Sequence, residues 1–426
     1  MDAFEKYEKY VITNCAPPLV PIEIEHAKGA TYFCKDGRQF IDGYAGVAVS
    51  NCGHGQEKII NAAKKQLDRF IHCGSYLYPV DVVADLAEKL AEITPGNLQK
   101  CFFGNSGAEA IEGAMRLAKK YTKKNEILAL TNSFHGRTYG TLSITGNSKR
   151  KIGGGPYMPG VSFCRSPYYF RSNTKHTDPE SYADFCADSL EEAIKLHTSQ
   201  NIAFFIAEPV LGEGGIIVPP PNYYKRIKEI LDHYKILFIV DEVQSGFGRT
   251  GKMFAIEHYG VVPDIMVMAK GIANGLPLSC FITREEIAKS FSPGDLFSTF
   301  GGNPVSCATS LATINFFEEN NLVQESARKG KYFMETLREA TKNNSLVGEI
   351  RGLGLMIGIE LVKDIKKTPA SEEALKIKKA LYEMGVLIGI GGYDGNVLRF
   401  QPPLVITDNE LNKVIECLVR ALKSIN

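Results

Sequence analysis

From about Gln56 onward the chain alternates stretches of helical periodicity with short apolar runs. The runs are KCFFG at 100 to 104, EILAL at 126 to 130, NIAFFIAE at 201 to 208, ILFIVDE at 236 to 242, DIMVMAK at 264 to 270 and LSCFI at 278 to 282. Strands that are apolar throughout, with no alternation, are covered on both faces, and the periodic stretches EKIINAAKKQLDRF, DVVADLAEKLAEI and AEAIEGAMRLAKKYT supply that cover. The pattern predicts an α/β fold with a mostly parallel sheet. With 426 residues the chain has room for one large and one smaller domain. A long helical stretch after Gly301 runs through Arg338 and is followed by VGEIRGLGLMIGIEL, a helix around Ser371 to Met384, VLIG, NVLRF and a closing helix from Asp408. These segments read as a separate α+β unit. Near the start, ATYFCKDGRQFIDGYAG reads as a hairpin turning at Asp36-Gly37. The expected division is an N-terminal segment, 1–50, packing with a small domain at 311–426, and a large domain at 51–310.

Charge narrows the function. Lys and Arg total 49 against 48 Asp and Glu, without the basic excess of nucleic-acid or membrane-surface proteins, and the lysine clusters fall on helix faces or ends. The ten cysteines are scattered, with no C-x-x-C and no histidine at ligand spacing, so no metal site is expected. The opening MDAFEKYEKY lacks the basic and apolar regions of a leader, and the apolar runs are strand-sized. A soluble, reduced, cytoplasmic protein is the expectation.

Three apolar strands run into ionisable residues: Glu208, Asp241 with Glu242, and Lys270. Ligands of open α/β sheets bind beyond the carboxyl ends of the strands, so these side chains are expected to meet in one crevice. A lysine buried there loses its proton readily and becomes a nucleophile for aldehydes, although an ordinary surface lysine after a strand explains the same residue. In GNSGAEAIEGAMRLAKKY, Gly104 to Gly107 form a small-residue turn leading into a helix. That is either an anion cradle at the positive end of a helix dipole or a plain N-cap by Asn105 or Ser106. Phe134, His135 and Arg137 in FHGRT follow another strand and offer an aromatic face, an imidazole and a guanidinium; a core phenylalanine and a satisfied histidine remain the bland alternatives. Arg399 lies inside the apolar run NVLRF and needs an anionic partner, either a structural carboxylate or a substrate carboxylate.

Taken together, IVDEVQSGFGRTGK at 239 to 252 and PDIMVMAKGIANGLPL at 263 to 278 resemble the signature of the class III aminotransferases. The similarity continues through NCGH at 51, NSGAEA at 105, FHGRT at 134, AEPVLGEGG at 207, STFGGNP at 298 and RGLGLMIGIEL at 351, covering nearly the whole chain. The resemblance implies the fold type I architecture of pyridoxal 5'-phosphate (PLP) enzymes, with a seven-stranded sheet. It makes Lys270 the residue that forms a Schiff base with the cofactor aldehyde and shuttles a proton between the substrate Cα and the cofactor. Asp241 would pair with the pyridine nitrogen, Phe134 and Val243 would sandwich the ring with His135 close by, and Gln244 would meet its phenolic oxygen. Ser106, Gly107 and Ala108 would hold the phosphate, joined by Thr299 from a partner subunit in a homodimer or dimer of dimers.

On the substrate side, Arg399 matches the family arginine for an α-carboxylate. Glu208 matches the glutamate that pairs with it when the donor amine is remote from its carboxylate, and Arg137 matches the arginine for a distal carboxylate. Val47 stands where ornithine aminotransferases place a tyrosine, which disfavours ornithine and suits a 4-aminobutyrate-like chain. The small-molecule partners implied are an ω-amino acid donor, or alanine, and 2-oxoglutarate or a small 2-oxo acid such as pyruvate or glyoxylate. A PLP-dependent racemase or epimerase is the alternative on the same fold. It needs a second proton donor opposite Lys270; no residue announces itself for that place, and Tyr76 and Tyr78 are candidates only by proximity to the expected entrance.

Overall fold

The computed structural model describes residues 1–15, 19–172, 176 and 178–425. Strands β1 (Ile24–Lys28), β2 (Thr31–Cys34) and β3 (Gln39–Asp42) form an antiparallel ribbon, with the turn between β2 and β3 at Asp36-Gly37 as the sequence predicts. Seven strands then build the main sheet: β4 (Lys100–Gly104), β5 (Glu126–Leu130), β6 (Val161–Cys164), β7 (Ile202–Ala207), β8 (Leu237–Asp241), β9 (Ile265–Met268) and β10 (Ser279–Thr283). Their spatial order is β4-β10-β9-β8-β7-β5-β6. Neighbours from β9 to β6 are parallel, and β10 alone runs antiparallel to β9 and β4.

The six apolar runs are all strands of this sheet, because each presents hydrophobic side chains to both sides. Phe205, Phe238 and Met266 join the core on one face, while Phe204, Ile206, Ile239 and Val267 join a second core under helix Gly107–Thr122. A smaller antiparallel sheet is made of β11 (Val347–Leu353), β12 (Met356–Leu361), β14 (Gly389–Gly391) and β15 (Val397–Phe400), in the order β11-β12-β15-β14. Just before β14, the two-residue strand β13 (Val386–Leu387) runs parallel to β3, so the N-terminal ribbon and the C-terminal unit share a sheet. Helix Ala3–Tyr10 has no buried residue. No helix among the described residues is long and apolar enough to cross a membrane.

Candidate active site

The parallel pairing of β7, β8 and β9 brings their carboxyl ends to one edge, with Ala207 opposite Val240 and Asp241 opposite Val267. Glu208, Asp241 and Lys270 therefore gather where the sequence places them. Lys270 opens a 3-10 turn, Lys270–Ala273, with a left-handed φ of 50°. No hydrogen bond or ion pair engages its amine among the described residues. Burial lowers the pKa of this amine, against an opposing pull from Asp241 and Glu208.

Asp241 is held on both oxygens: Oδ1 accepts the Val243 N–H at 3.0 Å and Oδ2 lies 2.8 Å from His135 Nδ1. His135 is buried, and its Nε2 has no hydrogen-bond partner among the described residues. Glu208 is taken by backbone donors, with Oε1 accepting from Phe134 N and Oε2 from Gly212 N, each at 2.9 Å. Burial, with Asp241 adding to it, pushes the Glu208 pKa up to about 7, against the pull of His135 and of those two donors.

Across the sheet edge, β4 ends at Gly104 and the chain enters helix Gly107–Thr122 through Asn105 and Ser106. Ser106 caps the helix, its Oγ accepting from Glu109 N at 3.2 Å. Glu109 also receives Asn105 N, Asn105 Nδ2 and Ser298 Oγ. The N–H groups of Gly107 and Ala108 occupy the first turn, where no intrahelical acceptor exists. A Cβ on Gly107 would stand 3.0 Å from both Val243 methyl carbons, so Val243 presses against the start of the helix. Gln244 Oε1 accepts from Gln401 Nε2 at 3.2 Å. Phe134 is half-buried, with the exposed Arg137 guanidinium 5.5 Å from its ring centre.

Not every residue of the long signature faces this crevice. Glu242 points into the protein, accepting Ser245 Oγ at 2.6 Å and Ile256 N at 2.7 Å, and burial raises its pKa to about 7. Arg249 is fully buried and donates to Asn51 Oδ1 and to the carbonyls of Leu355 and Pro402. Through Arg249 the motif is tied to the C-terminal segments that carry Leu355 and Pro402.

The carboxylate partner of Arg399 differs from the one the resemblance implies. Arg399, on β15, is 4% exposed, and its NH1 lies 3.2 Å from Glu213 Oε2. Glu208 instead accepts from two backbone N–H groups, those of Phe134 and Gly212. Arg399 NH2 also donates to the Tyr44 hydroxyl and to Ile390 O at 3.1 Å. Bare backbone makes room for it, since a Cβ on Gly391 would come within 2.6 Å of Arg399 Nε. Neither Glu213 nor Tyr44 stands out in the sequence. The available signals were an acidic residue between the glycines of GEGG and an arginine in an apolar strand that lacked an anion.

Val47 lies in a turn that is unusual for L-residues. Ala45, Gly46, Val47 and Ala48 all have left-handed φ, between 48° and 71°. Asp42 holds the entry to this turn, accepting Tyr44 N and Ala45 N on one oxygen and meeting His54 Nε2 at 3.0 Å on the other. Thr299 is exposed on the surface between Phe297 and Phe300, themselves 53% and 63% exposed. Of the two tyrosines considered as proton donors, Tyr76 is bound through its hydroxyl to the backbone of Phe103, and Tyr78 is 64% exposed.

Residues 13–422 match the model of the family described as aminotransferase class-III. A probable 4-aminobutyrate aminotransferase of Bacillus subtilis is 38% identical over 93% of this chain and 92% of its own length. A leucine/methionine racemase of Thermococcus litoralis is 37% identical over 100% and 96%. Among solved structures, the PLP-bound amine transaminase of an uncultivated Pseudomonas species superposes with a TM-score of 0.90 at 30% identity, covering 96% of this chain and 98% of the other. The chain belongs to the class III aminotransferases, a PLP-dependent family, and is a transaminase.

Proposed function

We propose that the protein moves the amino group of an ω-amino acid of the 4-aminobutyrate type to 2-oxoglutarate or a small 2-oxo acid such as pyruvate or glyoxylate. The observation that carries this reading is the ion pair between Arg399 and Glu213 near the free amine of Lys270. With Arg399 neutralised, the pocket suits a donor whose reacting carbon bears no carboxylate. With Glu213 displaced, the same guanidinium suits the α-carboxylate of an oxo acid. Arg137, exposed over Phe134, suits the distal carboxylate of either. Val47 contributes an apolar wall.

The residues present fit the cofactor. Ser106 Oγ and the N–H groups of Gly107 and Ala108 would hold its phosphate, with Thr299 of a second copy completing the cradle. Val243 and Phe134 would take the two faces of the ring, Gln244 its phenolic oxygen, and Glu208 would close the edge beside Phe134. Asp241, fixed by His135 and the Val243 N–H, would hold a proton on the ring nitrogen. Bound PLP supplies the electron sink for the charge left when a C–H bond breaks. Lys270 would remove that proton from the carbon bearing the donor amine and return it on the other side of the transfer, a role its burial-lowered pKa supports. Homodimers, or dimers of dimers, follow from the part given to Thr299, and a reducing cytoplasm suits ten thiols that are all free.

Adding 4-aminobutyrate alone to the purified yellow protein is expected to bleach the cofactor band, and 2-oxoglutarate to restore it. Lys270→Ala protein is expected to lose at least about a thousandfold in turnover. The full-length match to a racemase keeps one rival in view. Should the band persist while solvent deuterium enters the Cα of an α-amino acid, the racemase reading replaces the transaminase one.

A further inference from the structure

Glu213 does not face Arg399 alone. Its oxygens are divided between two guanidinium groups: Oε2 lies 3.2 Å from Arg399 NH1, and Oε1 accepts a hydrogen bond from Arg150 NH2. The two contacts differ in kind. Among the described residues Arg399 NH1 and Nε are buried without a hydrogen bond, so Glu213 meets Arg399 through charge, whereas its contact with Arg150 is a charge-assisted hydrogen bond. Side-chain exposure rises along the series, from 4% at Arg399 through 15% at Glu213 to 40% at Arg150. The charges form a line from the pocket to the surface.

The segment next to Arg150 is tied down. Arg150 ends the short turn Ser148–Arg150, and its neighbour Lys149 donates to Tyr393 O at 2.7 Å and stands 4.3 Å over the Tyr393 ring. The same loop reaches Glu213, since Gly392 N donates to Glu213 O at 3.1 Å. Arg399 is anchored independently through its NH2 by Tyr44 and Ile390 O. Only the Glu213 side chain has to move for the pair to open.

A largely buried carboxylate that leaves its only cation is stranded at high cost, and one that already shares a second cation is not. We propose that Arg150 is the residue that retains Glu213 when a substrate α-carboxylate takes Arg399, and so sets how readily the pocket admits a 2-oxo acid after an ω-amino donor. This is a positioning role, exerted through Glu213, and it rests on the reading of Arg399 as the carboxylate site.

Glutarate, which carries carboxylates but neither amine nor oxo group, tests this by calorimetric titration of the cofactor-loaded protein, alongside the KM for 2-oxoglutarate. Arg150→Met is expected to weaken glutarate binding and raise that KM about tenfold with kcat little changed, and Arg150→Lys to recover most of the loss. Glu213→Gln is expected to bind glutarate more tightly than the parent protein, because nothing has to be displaced. In the Glu213→Gln background, Arg150→Met is expected to have no further effect. The proposal is overturned if Arg150→Met changes nothing, or if it weakens glutarate equally in both backgrounds, which would mean direct attraction of the anion. If Glu213→Gln leaves glutarate binding unchanged, Arg399 is not the carboxylate site and the underlying reading falls with the inference.

Discussion

Lys270 occupies a backbone conformation that costs a non-glycine residue about 1 kcal/mol or more, directly after a buried strand. Its amine feels the acids that follow β7 and β8, Glu208 and Asp241. Those acids differ in electrostatic setting. Burial pushes Glu208 from its ordinary 4.5 to about 7, so the folded protein binds a proton there that the unfolded chain releases. The stabilising contribution is complete below about pH 4.5 and disappears as pH rises through 7. Relative to a Glu208→Gln variant, the cofactor-free parent is expected to lose about 3 kcal/mol of unfolding free energy between pH 4.5 and pH 8. Urea unfolding of both proteins across that range checks it; parallel pH curves would show that Glu208 ionises at its ordinary pKa.

At the scale of elements, the close approaches are made by glycines. Helix Leu322–Thr341 crosses the β11–β12 turn so tightly that a Cβ on Gly330 would lie 1.8 Å from the Gly354 carbonyl oxygen. Nothing flexible lies in its path, only backbone. Gly330→Ala is therefore expected to destabilise the protein by about 3 kcal/mol, read from the denaturant midpoint, because the helix must lift from the sheet that carries Arg399. Among the described residues, the left-handed turn Ala45–Ala48 has no comparable sequence signal. One of its four residues is glycine, and what holds the others is Asp42, buried and bonded to Tyr44 N, Ala45 N and His54.

At the scale of the molecule, Thr299 stands between two exposed aromatic residues. Phe297 and Phe300 are both more than half exposed, and the His72 and Phe300 rings lie 5.5 Å apart. In the dimer proposed above, a second copy of the chain would cover these rings and deliver Thr299. Phe300→Asp is expected to shift the protein from dimer to monomer in sedimentation velocity and to lower its affinity for PLP. A variant that sediments as the parent does would remove this surface from the dimer contact.

Much of the site is legible along the chain. Lys270, Asp241 and Glu208 end runs that could only be buried strands, and parallel strands bring their carboxyl ends to one edge, so the order of residues alone implies their meeting. Ser106 and Gly107 are legible in the same way, as a cap and a small residue opening a helix. The partner of Arg399 is not. Arg150, Glu213, Tyr44 and Arg399 come from four segments, with Arg150 63 residues from Glu213 and Tyr44 355 from Arg399. Which of two nearby glutamates meets the arginine depends on the loop after β7: backbone N–H groups bind both oxygens of Glu208 and leave Glu213 to turn toward the small sheet. Local pattern determines which residues end strands and open helices; only tertiary packing decides which opposite charges share a buried space.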